Sequence, residues 1–303
     1  MLRRPDPLLP GDRVGVFLAS SPAREPFRSQ GIDALQRLGF RAREVKGATA
    51  PGAGFFSRPA EQAFEELQGF FLDPDIKALW AGRGGYGCNY LLPLLGRLRV
   101  PVPKIVVASS DASTLLWNLL DRHNLVVFYG PMVYGALASG EYDREQVLAA
   151  MGANQPSLRF QGEVLCPGRA RGLLTGGCLT NFASLLGTRH RPEVKGRILL
   201  LEDVNERPYR LDRMLWQCEQ AGVFRRLRAL LLGEFPNCFK DVVEREEFHL
   251  RWRRKLDHLR IPVLCNMPFG HAASSQVLPL GVKAEIDTEA FGGQLRCPIG
   301  VKW

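Results

Sequence analysis

The chain has no C-x-x-C pair, no long apolar run, no internal repeat and no low-complexity tract in its 303 residues. Its seven cysteines (88, 166, 178, 218, 238, 265 and 297) are odd in number and widely scattered. That spacing excludes a zinc knuckle and a redox dithiol, and it suits free thiols in a reducing compartment. No segment approaches the roughly 20 consecutive apolar residues of a spanning helix, so no membrane partner is expected. The opening MLRRPDPLLPGD is broken by prolines and lacks an apolar core, which argues against a signal peptide and for a cytoplasmic protein. A recognised nucleic-acid module is missing as well. The net charge of +9 comes mostly from arginine, with basic clusters at Phe224–Arg228 and Arg251–Arg260. Each cluster overlies a helical apolar stripe and reads as a solvated helix face, so no nucleic-acid partner is expected. The charge leaves a mild attraction for anionic substrates.

What is present is an ordinary soluble composition, 46% hydrophobic and 23% charged, on a chain long enough for two domains. Apolar strand patterns at Arg13–Leu18, Arg41–Val45, Ile76–Trp80, Lys104–Ala108 and Leu125–Phe128 alternate with helical patterns at Gln30–Leu38, Ala60–Leu72, Asn89–Leu98 and Ala112–Asp121. Pro51–Arg58 reads as a flexible loop. This alternation predicts a doubly wound parallel sheet of flavodoxin or Rossmann type. After about Tyr142 the texture changes. A helix at Asp143–Met151 and an irregular or β stretch at Gln155–Pro167 precede strands at Arg171–Thr175, Arg197–Leu201, Ala229–Gly233, Val263–Met267 and Lys283–Asp287. The fold class expected is α/β: an N-terminal domain over 1–150, a linker over 151–165, and a C-terminal α/β domain over 166–303 with a mixed or barrel-like sheet.

Lys104–Ser113 (KIVVASSDAS) passes from an apolar strand through a sharp turn into a helix. Ala108 and Ala112 flank Ser110 at minus two and plus two, small enough for a strained elbow that exposes a nucleophilic hydroxyl. The Asp111 N–H then lies at a helix N-terminus, where unpaired donors favour an oxyanion. The bland alternative is that Ser110 or Asp111 merely caps the helix. Leu199–Val204 ends an apolar strand in Glu202, which could orient a histidine or simply sit at the surface or cap a helix. Of the five histidines only His271 follows a buried strand and a Pro–Gly turn, as a strand-end base would.

Gly82–Gly87 (GRGGYG) formally satisfies G-x-G-x-x-G. It follows the third strand rather than the first, and no acidic residue stands about 20 positions on to hold a ribose. Three readings stay open for it: a nucleotide loop, a turn that brings a backbone N–H to a reacting carbonyl beside Ser110, and a plain turn.

Taken together, these segments resemble the LD-carboxypeptidase family of serine peptidases, which includes the microcin C self-immunity peptidases. The resemblance runs from Pro10–Asp12 and Ala19–Pro22 to Leu278–Gly281. It is carried by Ala81–Gly87 with Leu91–Leu94, Ser110-Asp111, Gly130–Met132, Gly176-Gly177 with Ala183–Thr188, Leu199–Val204 with Pro208–Leu215, and Pro268–His271. It implies a triad of Ser110, Glu202 and His271, with an oxyanion hole from the N–H groups of Asp111 and of Gly84 or Gly85. Arg83, Tyr86 and Gly177 are implied as substrate contacts, and no metal or cofactor is implied. The sequence departs from the family pattern at Ala108-Ser109, usually Gly plus an aromatic, and at Cys178, usually Asn. It also has Ser113 for the usual Thr, and Tyr90 where Arg is common.

The function this implies is a serine carboxypeptidase that removes the terminal D-alanine from murein tetrapeptide in cytoplasmic cell-wall recycling, with a small muropeptide as partner and a homodimer as the expected assembly. The alternative within the class is a microcin-type peptidase acting on peptidyl- or aminoacyl-nucleotide conjugates. The alternative outside it is a nucleotide-binding α/β protein using the Gly82–Gly87 loop.

Overall fold

The computed structural model describes residues 2–44, 55–152, 154–289 and 293–302. Val45 of the second expected strand and residues 51–54 of the expected loop lie outside the described residues. The first half runs β1 (Arg13–Phe17), α1 (Phe27–Arg37), β2 (Arg41–Glu44), α2 (Ala60–Leu72), β3 (Ile76–Ala81), β4 (Ile105–Ala108), α3 (Ser113–Arg122), β5 (Val127–Tyr129) and α4 (Arg144–Met151). The second half runs β6 (Ser157–Gln161), β7 (Glu163–Cys166), β8 (Arg169–Cys178), α5 (Leu179–Leu185), β9 (Arg197–Glu202), α6 (Pro208–Gln220), β10 (Ala229–Gly233), α7 (Val242–Leu256), β11 (Val263–Met267), β12 (Leu278–Leu280), β13 (Lys283–Asp287) and β14 (Gln294–Pro298).

Two mixed sheets result. The first has the order β12-β5-β4-β3-β1-β2, in which the five N-terminal strands are mutually parallel and β12 is antiparallel to β5. β4 is buried at all four residues because it lies inside the sheet with cover on both faces, which is why it reads as a continuous Ile/Val run. β12 supplies an edge strand, the place where Pro279 is tolerated although it cannot donate to a ladder.

The second sheet has the order β6-β14-β13-β8-β9-β10-β11-β7, with β8 to β11 parallel and the flanking strands antiparallel. β6 and β7 stand at opposite ends of that order yet are separated in the chain by Gly162 alone. The sheet therefore rolls round until its edges approach one another. Residues 157–166 thus build both edges of this sheet, although most of them fall in the expected linker.

Local chemistry explains most helices. Pro208 opens α6 at its first turn, and Leu211, Leu215 and Cys218 form its buried stripe. Asp143 and Asp241 cap α4 and α7 by accepting from the N–H groups of Gln146 and Glu244. One expectation fails. Asn89–Leu98 is not a helix but two short turns, Cys88–Leu91 and Leu95–Arg97, because Pro93 between them lacks an N–H and crowds the preceding turn.

The two sheets meet through α3 and α5. Trp117 of α3 donates Nε1–H to the Gly176 carbonyl of β8 at 2.7 Å and packs edge-on against Phe182 of α5. Arg197 of β9 pairs with Asp121 of α3 at 2.6 Å. The chain crosses back once more: residues 268–277 leave β11 in the second sheet and deliver β12 to the first, beside β5.

Candidate active site

Ser110 follows β4 with φ of +55°, a left-handed backbone that non-glycine residues rarely adopt and that costs about 1–3 kcal/mol. The surroundings hold it there. Its N–H donates to Tyr129 Oη at 3.3 Å, and its carbonyl accepts from Ser113 Oγ at 2.5 Å and Asn181 Nδ2 at 3.2 Å. Ser109 before it is buried and extended. The turn thus lifts one hydroxyl clear of the strand end.

Gly84 lies directly against that hydroxyl. A Cβ there would stand 2.9 Å from Ser110 Oγ and 2.8 Å from its Cβ, so only a bare backbone makes the approach. Among the described residues neither the Gly84 nor the Gly85 N–H donates to a protein acceptor. Ser21, four residues beyond β1, braces this turn: its N–H donates to the Gly84 carbonyl at 3.2 Å and its Oγ accepts from the Tyr86 N–H at 3.2 Å. The Asp111 carboxylate accepts from the Cys88 N–H at 2.8 Å and so ties the far end of the glycine loop to the elbow. Burial pushes that carboxyl up. The loop leads into a short turn rather than a helix, which removes the helix N-terminus a dinucleotide fingerprint needs.

Glu202 is the last residue of β9 and fully buried. One carboxylate oxygen, Oε2, accepts from His271, at 2.7 Å from Nδ1 and 3.3 Å from the backbone N–H. The other, Oε1, accepts from Tyr129 Oη. Gly270, at φ of +77°, lets the chain pass so closely that a Cβ would stand 2.3 Å from the Glu202 carboxyl carbon. Burial pulls the His271 imidazole down, but the Glu202 charge and hydrogen bond outweigh it, and the net shift is upward. Burial likewise pushes Glu202 up, and His271 and then Tyr129 overcome it, leaving the carboxyl below its usual range. The pair therefore favours an ionised acid beside a more basic imidazole. The ring keeps 24% exposure. Among the described residues no hydrogen bond joins Ser110 Oγ to the His271 ring. The neighbouring Asp203 is engaged elsewhere, accepting from Thr180 N and Oγ1 at 2.8 and 2.7 Å.

The remaining sequence-derived positions divide. Arg83 and Tyr86 are exposed, Arg83 reaching the Pro22 carbonyl at 3.0 Å. Tyr86 stacks with Phe56 and Tyr90, ring centroids 5.7 and 6.2 Å away, so Tyr90 joins an exposed aromatic cluster beside the glycine loop. Gly177 is buried behind the elbow, with Ser113 and Tyr129 closest to it. Cys178 is buried and its thiol pushed well up by burial. Tyr129 and Asn181 were missed, and Ser113 was noted only as a departure from the family pattern. Tyr129, just past the expected strand Leu125–Phe128, joins the Ser110 amide to the Glu202 carboxylate. Asn181 and Ser113 hold the Ser110 carbonyl. A tyrosine ending an apolar strand carries no spacing signal of its own, and neither does a lone asparagine.

Residues 14–130 match the LD-carboxypeptidase N-terminal domain, and residues 171–286 match the LD-carboxypeptidase C-terminal domain. The chain belongs to the LD-carboxypeptidase family. The murein tetrapeptide carboxypeptidase of Pseudomonas aeruginosa is 34% identical over 260 residues, 80% of this chain and 81% of the relative. The microcin C7 self-immunity protein of Escherichia coli is 26% identical over 93% of this chain and 92% of its own. A solved structure of that immunity protein with glutamyl sulfamoyl guanosine superposes with a TM-score of 0.87, covering 99% of each chain at 23% identity, which shows a shared fold. As an LD-carboxypeptidase family member, the chain is a serine peptidase-type hydrolase. Among the described residues no group of three or more His, Cys, Asp or Glu side chains is arranged to hold a metal ion. No helix among them is long and apolar enough to cross a membrane.

Proposed function

We propose that this LD-carboxypeptidase cleaves the L,D-peptide bond that releases the terminal D-alanine of murein tetrapeptide, through an acyl-enzyme on Ser110. The observation that carries the reading is the Tyr129 hydroxyl, which bonds both the Ser110 amide and the Glu202 carboxylate that holds His271. A strained serine elbow and a buried acid–imidazole pair are thus linked through one phenol. As Ser110 Oγ attacks the scissile carbonyl, His271 Nε2 takes its proton, and Glu202 stabilises the imidazolium. The oxyanion takes donors from the Asp111 N–H and from Gly84 or Gly85. The imidazolium then protonates the departing amine as the C–N bond breaks. Water, deprotonated by the same imidazole, hydrolyses the ester.

Arg83 and Tyr86 flank the glycine loop and are proposed to meet the substrate, with Arg83 suited to a terminal carboxylate. The likeness to a murein tetrapeptide carboxypeptidase supports the choice of peptide. Seven buried free thiols fit work in the reducing cytoplasm on recycled wall peptides. A second reading, hydrolysis of aminoacyl-nucleotide conjugates, is favoured by the exposed Tyr86 and Tyr90 rings clustered on the half-buried Phe56, on which a base could stack. Mass spectrometry of murein tetrapeptide incubated with the protein decides between them. Loss of one D-alanine is expected; an untouched tetrapeptide together with a cleaved aminoacyl-sulfamoyl nucleoside would replace the first reading with the second.

A further inference from the structure

A cavity of about 450 Å³ opens where β10 and β11 end, between β7 and the first turn of α7. The proposed mechanism makes no use of it. Its wall combines the carboxylates of Glu163 and Glu234, the guanidinium of Arg245, the Asn266 amide and the rings of Phe235 and Phe239. Asp241, also on the wall, is engaged in capping α7.

The polar part of that wall is unfinished. Among the described residues Arg245 forms no ion pair, and its Nε is buried with no partner. Asn266 Oδ1 is buried without a partner as well. Buried polar groups are nearly always bonded, so two orphans on one cavity call for a ligand. The backbone carries the same signal. Phe235 and Asn266 sit at φ of 51° and 52°, a region in which a bulky phenylalanine is an outlier and which recurs at ligand sites.

We propose that this cavity binds the zwitterionic head of an α-amino acid, its carboxylate on Arg245 and its ammonium between Glu163, Glu234 and Asn266 Oδ1. Phe235 and Phe239 receive the aliphatic stem. Two carboxylates against one guanidinium leave an excess of negative charge, which favours an amino acid with a second ammonium. The same chemistry has two sources: a free amino acid, or the amino-acid end of a peptide reaching across from the Ser110 cleft. Only the second source rests on the peptidase reading above. Burial pushes the Glu234 carboxyl up against the opposing hydrogen bond from the Ala273 amide, two residues past His271, so the ligand would neighbour the loop that carries the imidazole.

Calorimetric titration of the full chain with L-lysine tests the first source. Arg245→Gln and Glu234→Gln should each weaken binding about tenfold or more, as loss of a charge-assisted hydrogen bond does, while Ser110→Ala leaves it unchanged. Melting temperatures identify any variant that fails to fold, and Glu234→Gln then reads the site alone. Steady-state kinetics on murein tetrapeptide test the second source. There Arg245→Gln should raise KM about tenfold at unchanged kcat, and acetylating the free amines of the peptide should abolish the difference. The proposal is overturned by lysine binding that both variants leave intact, or by no lysine binding together with an unchanged KM. Where the tetrapeptide is not turned over at all, calorimetry alone decides, so failure here is separable from failure of the peptidase reading.

Discussion

At the end of β4 the chain positions a hydroxyl with its backbone. Ser110 is held in a left-handed conformation by bonds to its own amide and carbonyl, and Gly84 is pressed against its hydroxyl. At the end of β9 the means are different. Glu202 has ordinary strand geometry, and what matters is its charge, shared between the His271 imidazole and the Tyr129 phenol in a buried setting. The first sheet therefore sets where the Ser110 hydroxyl points, and the second sets how strongly the His271 imidazole attracts a proton. Geometry of the first kind is sensitive to added volume, whereas tuning of the second kind is sensitive to charge and pH.

The comparison breaks most sharply at the nucleophile. Ser110→Ala removes one oxygen and keeps the elbow, so turnover should fall by about 10⁶-fold, on the scale of triad deletions, with the melting temperature unchanged. A variant that still hydrolyses tetrapeptide would place the chemistry elsewhere.

Glu202→Gln probes the second sheet. Turnover should fall by roughly 10²–10⁴-fold. The pH profile is the sharper readout. His271 acts as a base only when neutral, so kcat/KM rises with pH through its titration, which the carboxylate holds above the ordinary histidine value. Without that charge the acid limb should move to lower pH. An unmoved limb would mean that Glu202 does not tune the base.

Tyr129→Phe tests the link between the two regions. Losing the hydroxyl leaves Glu202 Oε1 and the Ser110 N–H without a partner, at a cost of about 1–3 kcal/mol of stability. Turnover should drop by about tenfold, and the acid limb should shift upward, because a carboxylate relieved of its phenol donor attracts the imidazole proton more strongly. A stability loss with unaltered pH dependence would reduce Tyr129 to a packing role. The smallest effect is expected at Ser109→Ala. Ser109 is buried in the extended residue before the elbow, so kcat should stay within about twofold.

Much of this was legible beforehand because local rules governed it. The strands Ala229–Gly233, Val263–Met267 and Lys283–Asp287 and the helix Ala60–Leu72 occupy the expected bounds, since their apolar patterns and flanking breakers agree. The elbow was readable because small residues and an apolar run constrain it within a few positions. Pro93 defeated a helical pattern that otherwise looked regular. β12, three residues with a central proline, carries almost no local signal and becomes a strand only because β5 offers it an edge.

Composition and pattern by themselves determined the α/β alternation, the serine turn, the strand-end acid and the histidine after a Pro–Gly turn. Each is a short-range property of neighbouring residues. Only the tertiary structure pairs Glu202 with His271 and joins that pair, through the Tyr129 hydroxyl, to the Ser110 amide. His271 follows β11 and Glu202 ends β9, strands that the second sheet brings close, whereas Tyr129 comes from the first sheet. Tyr129, Asn181 and Gly84 became part of the site through contacts between residues 19 to 73 positions apart. Separations of that size leave no periodicity in a sequence, because the chain between them is free to vary as long as the sheets still meet.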